Sequence, residues 1–224
     1  MGLLLNLETA TTNCSVCLAK DGQILTVREN NTPNYSHAEQ LHVFIKECME
    51  EAGYELSALD AIAISKGPGS YTGLRIGVSA AKGLCYALDK PLISIATLKS
   101  MASQIDVMEN EIIIPVLDAR RMEVYAAIFD SELNQIRETK AEIIEPDSFS
   151  DYLEYQKVHF VGSGAEKIKS VLNKDNLVYH SEIVPSANDM AILSNEKLNN
   201  RDFEDVAYFE PYYLKDFILT TKKK

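Results

Sequence analysis

The residues 65–88, SKGPGSYTGLRIGVSAAKGLCYAL, place a glycine-rich turn directly before a helical pattern, the arrangement of a phosphate-binding loop. A P-loop needs four residues between its glycines and then Gly-Lys followed by Ser or Thr. Here three residues separate Gly69 from Gly73, and Leu74 and Arg75 follow. A dinucleotide loop needs Gly-x-Gly-x-x-Gly, and GPGSYTG has one residue too many in its second gap. What remains is a helix N-terminus whose amides, with Ser70 or Thr72, could hold an anion. The alternative is that Gly67 and Gly69 simply allow a sharp strand-to-helix turn around Pro68. A second candidate, CSVC at residues 14–17, has redox or metal spacing. It falls in an alternating strand pattern, where side chains three apart point to opposite faces, so Cys14, Cys17, Cys48 and Cys85 are read as reduced structural thiols.

Around these stretches the sequence outlines an α/β chain. Residues 3–7 and 14–19 read as strands, and Asp21-Gly22 turns the second into a third, ILTVRE. Ser36 and Glu39 form a capping box for a helix to residue 52, with Leu41, Phe44, Ile45, Cys48, Met49 and Ala52 as its apolar stripe. DAIAIS is a buried strand before the glycine turn, PLISI is the next strand, and Thr97 is expected to cap a helix to Gln104. From Glu111 the order partly repeats: EIIIPVLDA, EVYAAIFD and residues 135–144 as strands, a helix at 147–155, the strand VHFVG, and helices at 164–172 and 187–199. Two units that each open with a three-stranded meander imply a duplicated architecture of mixed sheets flanked by helices. The expected division is 1–107 and a smaller unit at 108–224.

Composition narrows the function. Of 224 residues 46% are hydrophobic, ordinary for a folded chain. The net charge of -11 disfavours broad attraction to nucleic acid or an anionic membrane. No run approaches the roughly 20 apolar residues of a membrane span, and MGLLLNLETA lacks a basic start and a cleavage site, so a cytoplasmic protein is expected.

The helix after the glycine turn is unusually slim. Gly73, Gly77, Ala81 and Cys85 line one face and Ile76, Ala80, Gly83 and Ala87 an adjacent one. Interior Gly77 and Gly83 cost about 1 kcal/mol each relative to alanine, so close packing should compensate. The sequence leaves two partners open: an intramolecular neighbour such as the helix at 36–52, or a second protein.

With these elements in order, the chain resembles the TsaB (YeaZ) family of tRNA threonylcarbamoyladenosine biosynthesis proteins, in the actin, Hsp70 and sugar-kinase superfamily. LNLETATTNCSVCLA, HAEQL, SKGPGSYTGLRIGVSAAKGL, PVLDARRMEVYAAIF and EPYYLKD carry the match, with Lys215 where the family has Arg. The resemblance implies two tandem actin/Hsp70-like (ribonuclease H-like) domains, the second reduced. The same glycine stretch marks the catalytic paralogue TsaD, but TsaD bears a His-x-x-x-His metal motif where this chain reads ATLKSMASQ. His37 and His42, five apart on a helix, diverge by about 140°. His159 and His180 have no carboxylate-rich motif beside them in sequence. Surface or capping roles are expected for all four, with no metal and no cofactor.

The family implies support of N6-threonylcarbamoyladenosine formation in tRNAs reading ANN codons, by binding rather than bond-making. Its partners are a TsaD-like paralogue and a TsaE-like ATPase, with tRNA reached through the complex. Ser70, Tyr71, Thr72, Gly73, Arg75, Gly77 and Ala81 are the expected docking residues, and a homodimer through the same face is an allowed alternative when the partner is absent. In nucleotide-using relatives, phosphates sit between two turns that correspond here to ETATTN and DARRME. Thr9, Thr11, Thr12, Asp118 and Arg120 are thus candidate vestigial nucleotide contacts, with Gly162 and Gly164 of VGSGAEK as an adenosine-side loop. The alternative reading of Asp118, Arg120 and Glu123 is a local ion-pair network. The tail TTKKK is a candidate minor tRNA contact. The rival reading is an independent Mg-ATP-dependent phosphotransferase or ATPase of the same superfamily.

Overall fold

The computed structural model describes residues 2–32 and 37–215. Asp21 and Gly22 both take positive φ, 53° and 80°, which matches the twist of a tight hairpin and joins β2 (Asn13–Lys20) to β3 (Gln23–Asn31). β1 (Leu3–Glu8) pairs antiparallel with β2 and parallel with β4 (Ala61–Gly67), and β5 (Leu92–Ala96) completes the order β3-β2-β1-β4-β5. Every residue of β1 is buried because both faces are covered. Leu3, Leu5 and Leu7 pack with Leu41, Ile45, Val78 and Ala81 of α1 (His37–Ala52) and α2 (Tyr71–Leu88). Leu4 packs on the other side with Met190 and Leu193, the latter from α5 (Ala191–Asn200).

The second sheet has the order β10-β9-β6-β7-β8, formed by β6 (Glu111–Asp118), β7 (Glu123–Phe129), β8 (Gln135–Ile143), β9 (Lys157–Val161) and β10 (Leu177–His180). One face packs on Ala165 and Ile168 of α4 (Ala165–Lys169). The other meets Leu98, Met101 and Ala102 of α3 (Thr97–Ala102), so this short helix fills the space between the sheets. The α/β class with two mixed five-stranded sheets agrees with expectation. After β10 the chain crosses back: α5 lies on the first sheet, and Glu204 bridges Leu92 of β5.

Several elements differ from the sequence reading. The N-cap of α3 is Ala96, while Thr97 is fully buried and its hydroxyl meets that of Ser65 at 2.7 Å. The helix stops at Ala102. Residues 147–155 form only a 3-10 turn, Ser150–Tyr152, and α5 begins at Ala191 behind another, Asn188–Met190. β10 was not anticipated, because four residues carry too little alternation to register as a strand. Ser36 of the expected capping box and the TTKKK tail lie outside the described residues. Among the described residues no helix is long and apolar enough to cross a membrane.

Candidate functional site

The glycine turn grips the chain's own first hairpin. A Cβ on Gly69 would stand 2.3 Å from the Ala10 carbonyl oxygen, and the Ser70 amide donates to that oxygen at 2.6 Å. Ser70 caps α2 by accepting the Gly73 amide. The groups that could receive an anion at this helix start thus face Ala10 and the cap.

The first slim face of α2 is consumed the same way. A Cβ on Gly73 would lie 2.1 Å from the Thr9 carbonyl oxygen, and one on Gly77 would lie 2.2 Å from Thr9 Oγ1 and 2.9 Å from Ile64 Cδ1. Thr9 Oγ1 donates to the Gly73 carbonyl at 2.8 Å. Ala81 and Cys85 join the core with β1 and β4. Gly73, Gly77 and Ala81 are therefore packed inside the chain. Their neighbours are Thr9 and the sheet together with α1, whose His37 Cδ2 would lie 3.3 Å from a Cβ on Gly73 and whose Leu41 and Ile45 share the core of Ala81.

Of the remaining docking candidates Thr72 and Arg75 are exposed and Ser70 and Tyr71 half-buried. The Arg75 guanidinium lies 4.1 Å from the Tyr71 ring centroid and its Nε donates to Tyr213 Oη at 3.3 Å. The second slim face is the open one. Gly83 has nothing within 4 Å of a built Cβ, Ala87 is exposed, and Tyr86 is 88% exposed. Val43 of the adjoining α1 is also exposed.

The candidate nucleotide contacts do not converge on a cradle. Thr9 is spent on α2, Thr11 Oγ1 accepts the Asn13 amide, and Thr12 Oγ1 donates to Asn31 Oδ1. Asp118 pairs with Lys167 at 2.7 Å, while Glu123 pairs with Lys215. Arg120, at φ 71°, reaches Asp118 through its backbone amide at 2.7 Å, so the expected ion-pair network takes its cations from elsewhere. Gly162, at φ 109°, has its Cβ position filled by Met101 Cε at 2.1 Å, and that of Gly164 is closed by Val124 and Val116. Both are packing glycines, under α3 and β6.

Sequence reasoning missed Glu8. Its side chain is fully buried, Oε1 accepts the Ala10 amide at 2.5 Å, and among the described residues Oε2 meets no donor at full hydrogen-bond geometry. Burial pushes its carboxyl up to about 7, against the amides of Ala10 and Thr9 and the Ser65 hydroxyl. Asp189 is likewise raised to about 7, first by burial and further by Glu29. Nearby, Ser15 bonds the Ser186 hydroxyl and the Ala187 amide, and Asn13 Nδ2 donates to the Pro185 carbonyl. All four cysteines are free and buried, with Cys14 and Cys17 in different core clusters, and burial raises each thiol.

Two histidines depart from the surface-or-capping reading while His42 is exposed: His37 is buried, with Nε2 2.7 Å from the Thr11 carbonyl oxygen, and His159 sits between His180 and Glu111. Glu111 is 48 positions from His159, beyond the reach of a local motif. Among the described residues no group of three or more His, Cys, Asp or Glu is placed to hold a metal ion.

Comparison with known proteins gives a consistent picture. The family model described as TsaD: tRNA N6-adenosine threonylcarbamoyltransferase matches residues 32–223. A tRNA threonylcarbamoyladenosine biosynthesis protein TsaB from Haemophilus influenzae is 30% identical, over 98% of this chain and 96% of that one. Its counterpart from Escherichia coli is 28% identical over 98% and 97%. A threonylcarbamoyltransferase from Jannaschia sp. is 48% identical, but over 30% of this chain and 19% of the enzyme. The solved structure YeaZ from Pseudomonas aeruginosa superposes with a TM-score of 0.82 at 26% identity, covering 96% of this chain and all of that one.

Proposed function

Because the chain belongs to the TsaB family, within the wider threonylcarbamoyltransferase family whose model it matches, we propose that it acts as a noncatalytic docking subunit. Its pathway is tRNA threonylcarbamoyladenosine biosynthesis. In this reading it serves the modification of tRNAs reading ANN codons by binding a TsaD-like paralogue, together with a TsaE-like ATPase, in the cytoplasm. tRNA is reached through the complex, which suits the net charge of -11.

One observation carries the docking role: α2 spends one slim face on its own sheet and leaves on the other Gly83 and Ala87 exposed beside Tyr86, with Ile76 and Ala80 half-buried at its edge. Among the described residues Gly83 has no neighbour to compensate its helix cost, and a second backbone packed there would supply one. The noncatalytic part of the reading draws on α3. At the place of the paralogue's metal motif stand Thr97, Leu98, Ser100, Met101 and Ala102, all buried between the sheets.

The test is co-purification of the tagged chain with its paralogue, comparing Gly83→Trp with the parent. Loss of the paralogue at unchanged melting temperature supports docking through this face. Retained binding sinks it. The phosphotransferase alternative is not favoured, since Thr9, Gly162 and Gly164 are committed to internal packing.

A further inference from the structure

Two stretches carry the chain between the sheets: residues 103–110, from α3 into β6, and residues 181–187, from β10 back to the first sheet. Gln104 Nε2 of the first donates to the Val184 carbonyl of the second at 2.7 Å, and Ile105, Val107 and Ile183 pack on one core cluster. A second connection runs through side chains. At the end of the first crossing the Met108 amide donates to Glu111 Oε2 at 3.2 Å. The same oxygen lies 3.2 Å from His159 Nε2, His159 Nδ1 lies 3.1 Å from His180 Nε2, and His180 Nδ1 faces Glu182 at 3.9 Å on the second crossing. These residues come from three neighbouring strands, β6, β9 and β10, and share the sheet face that looks toward α3. We propose that the Glu111–His159–His180–Glu182 chain is a proton-released clasp that holds the two crossings together and lets them separate on mild acidification.

Proton bookkeeping sets the direction. The imidazole planes are 12° apart with centroids 5.4 Å apart, so with nitrogens at 3.1 Å the rings meet edge to edge, as one N–H donating to one lone pair. With both rings neutral, His159 Nε2–H donates to Glu111 and His180 Nε2–H donates to His159 Nδ1. His180 Nδ1 faces Glu182 outside the chain of bonds, so a proton there would leave every bond intact. A second has only His159 Nδ1 to occupy. That turns the central bond into two opposed N–H groups on two cations.

The charged groups facing the pair are Glu111 and Lys157, whose Nζ is 3.7 Å from Glu111 Oε1, and Glu182 beyond His180. Burial holds the His159 imidazole below its ordinary value, with Glu111 opposing and His180 and Lys157 reinforcing. A lowered histidine favours the closed state above its unfolded pKa and loses that contribution as pH falls through the folded value. The clasp is therefore shut at neutral pH and opens in acid.

The experiment uses the whole chain: amide hydrogen exchange between pH 8 and 5.5, with nitrogen NMR of the two imidazoles. After correction for intrinsic rates, opening at Met108 and at Gly162, whose amide bonds the His180 carbonyl, rises in concert by at most about tenfold per pH unit as pH falls from the open-state pKa of His159 toward its lowered closed-state value, and levels off below it. His180→Gln keeps a donor toward neutral His159 and can turn its amide oxygen to accept from a protonated His159 Nδ1, so the two opposed donors never form and the acid-dependent opening disappears while protection at pH 8 remains. Parent-like pH dependence in that variant, or crossings that open independently, overturns the proposal. The imidazole titration of the unsubstituted chain decides separately: a shared, two-step titration is expected, and two uncoupled histidines rule the clasp out.

Discussion

Gly77 and Gly83 lie on one helix and answer to opposite constraints. A Cβ on Gly77 meets Thr9 Oγ1 at 2.2 Å, whereas a Cβ on Gly83 meets nothing. We predict that Gly77→Ala costs about 1–3 kcal/mol through overpacking and loss of the Thr9–Gly73 bond. Gly83→Ala should stabilise the isolated chain by about 1 kcal/mol, since only helix propensity changes. Thermal melts of the two variants check both, and the opposite order would reverse the assignment of the faces. Glu8 gives a pH test. Its folded pKa, about 7, exceeds the unfolded 4.5, so folding is helped below pH 4.5 and loses that help as pH rises through 7. Glu8→Gln should thus raise the melting temperature at pH 8 and change little at pH 4.5. An equal effect at both would mean that desolvation of the carboxylate is not the cause. Neither residue announces this in the sequence, because the burial of Glu8 depends on strands and a loop up to 57 positions away, at Ser65.

At the scale of elements, α2 shows what periodicity can and cannot reveal. Spacing identified a helix with two slim faces, and the bounds 71–88 follow from Ser70 at the N-cap and the turn after Leu88. Which face is buried was not legible, because the deciding contact, Thr9 with Gly73, spans 64 positions. The same limit hid Thr97: its side chain faces Ser65, 32 positions away, in preference to its own helix. Tyr86 tests the remaining face. At 88% exposure its truncation to Ala should leave stability within about 0.5 kcal/mol. If the proposed partner seats there, a buried tyrosine at such a centre is worth about 2 kcal/mol or more of binding, some thirtyfold in Kd. Affinity measured against the paralogue, with a melt as control, distinguishes this from a bystander.

Across the whole molecule, the two sheets were foreseen from the repeated meander, but the return of the chain end to the first sheet was not, since it depends on packing that carries no local signal. Glu204 bonds Leu92 and Ser94 of β5, Lys82 of α2 reaches the carbonyls of Ala207 and Phe209, and the Tyr212 amide reaches Lys66. Val206 and Phe209 pack on the first core. Against these ties to the first sheet stands the Lys215–Glu123 ion pair to the second hairpin, a half-exposed contact worth under about 1 kcal/mol. We therefore propose two folding units, one around each sheet, with the end of the chain belonging to the first. Truncation after residue 203 should remove about 2–4 kcal/mol of apolar burial and speed amide exchange in β5 and α2. Exchange in β7 and β8 should stay as it was. Equal acceleration in both sheets would show that they unfold as one body, with the terminal segment bracing the whole.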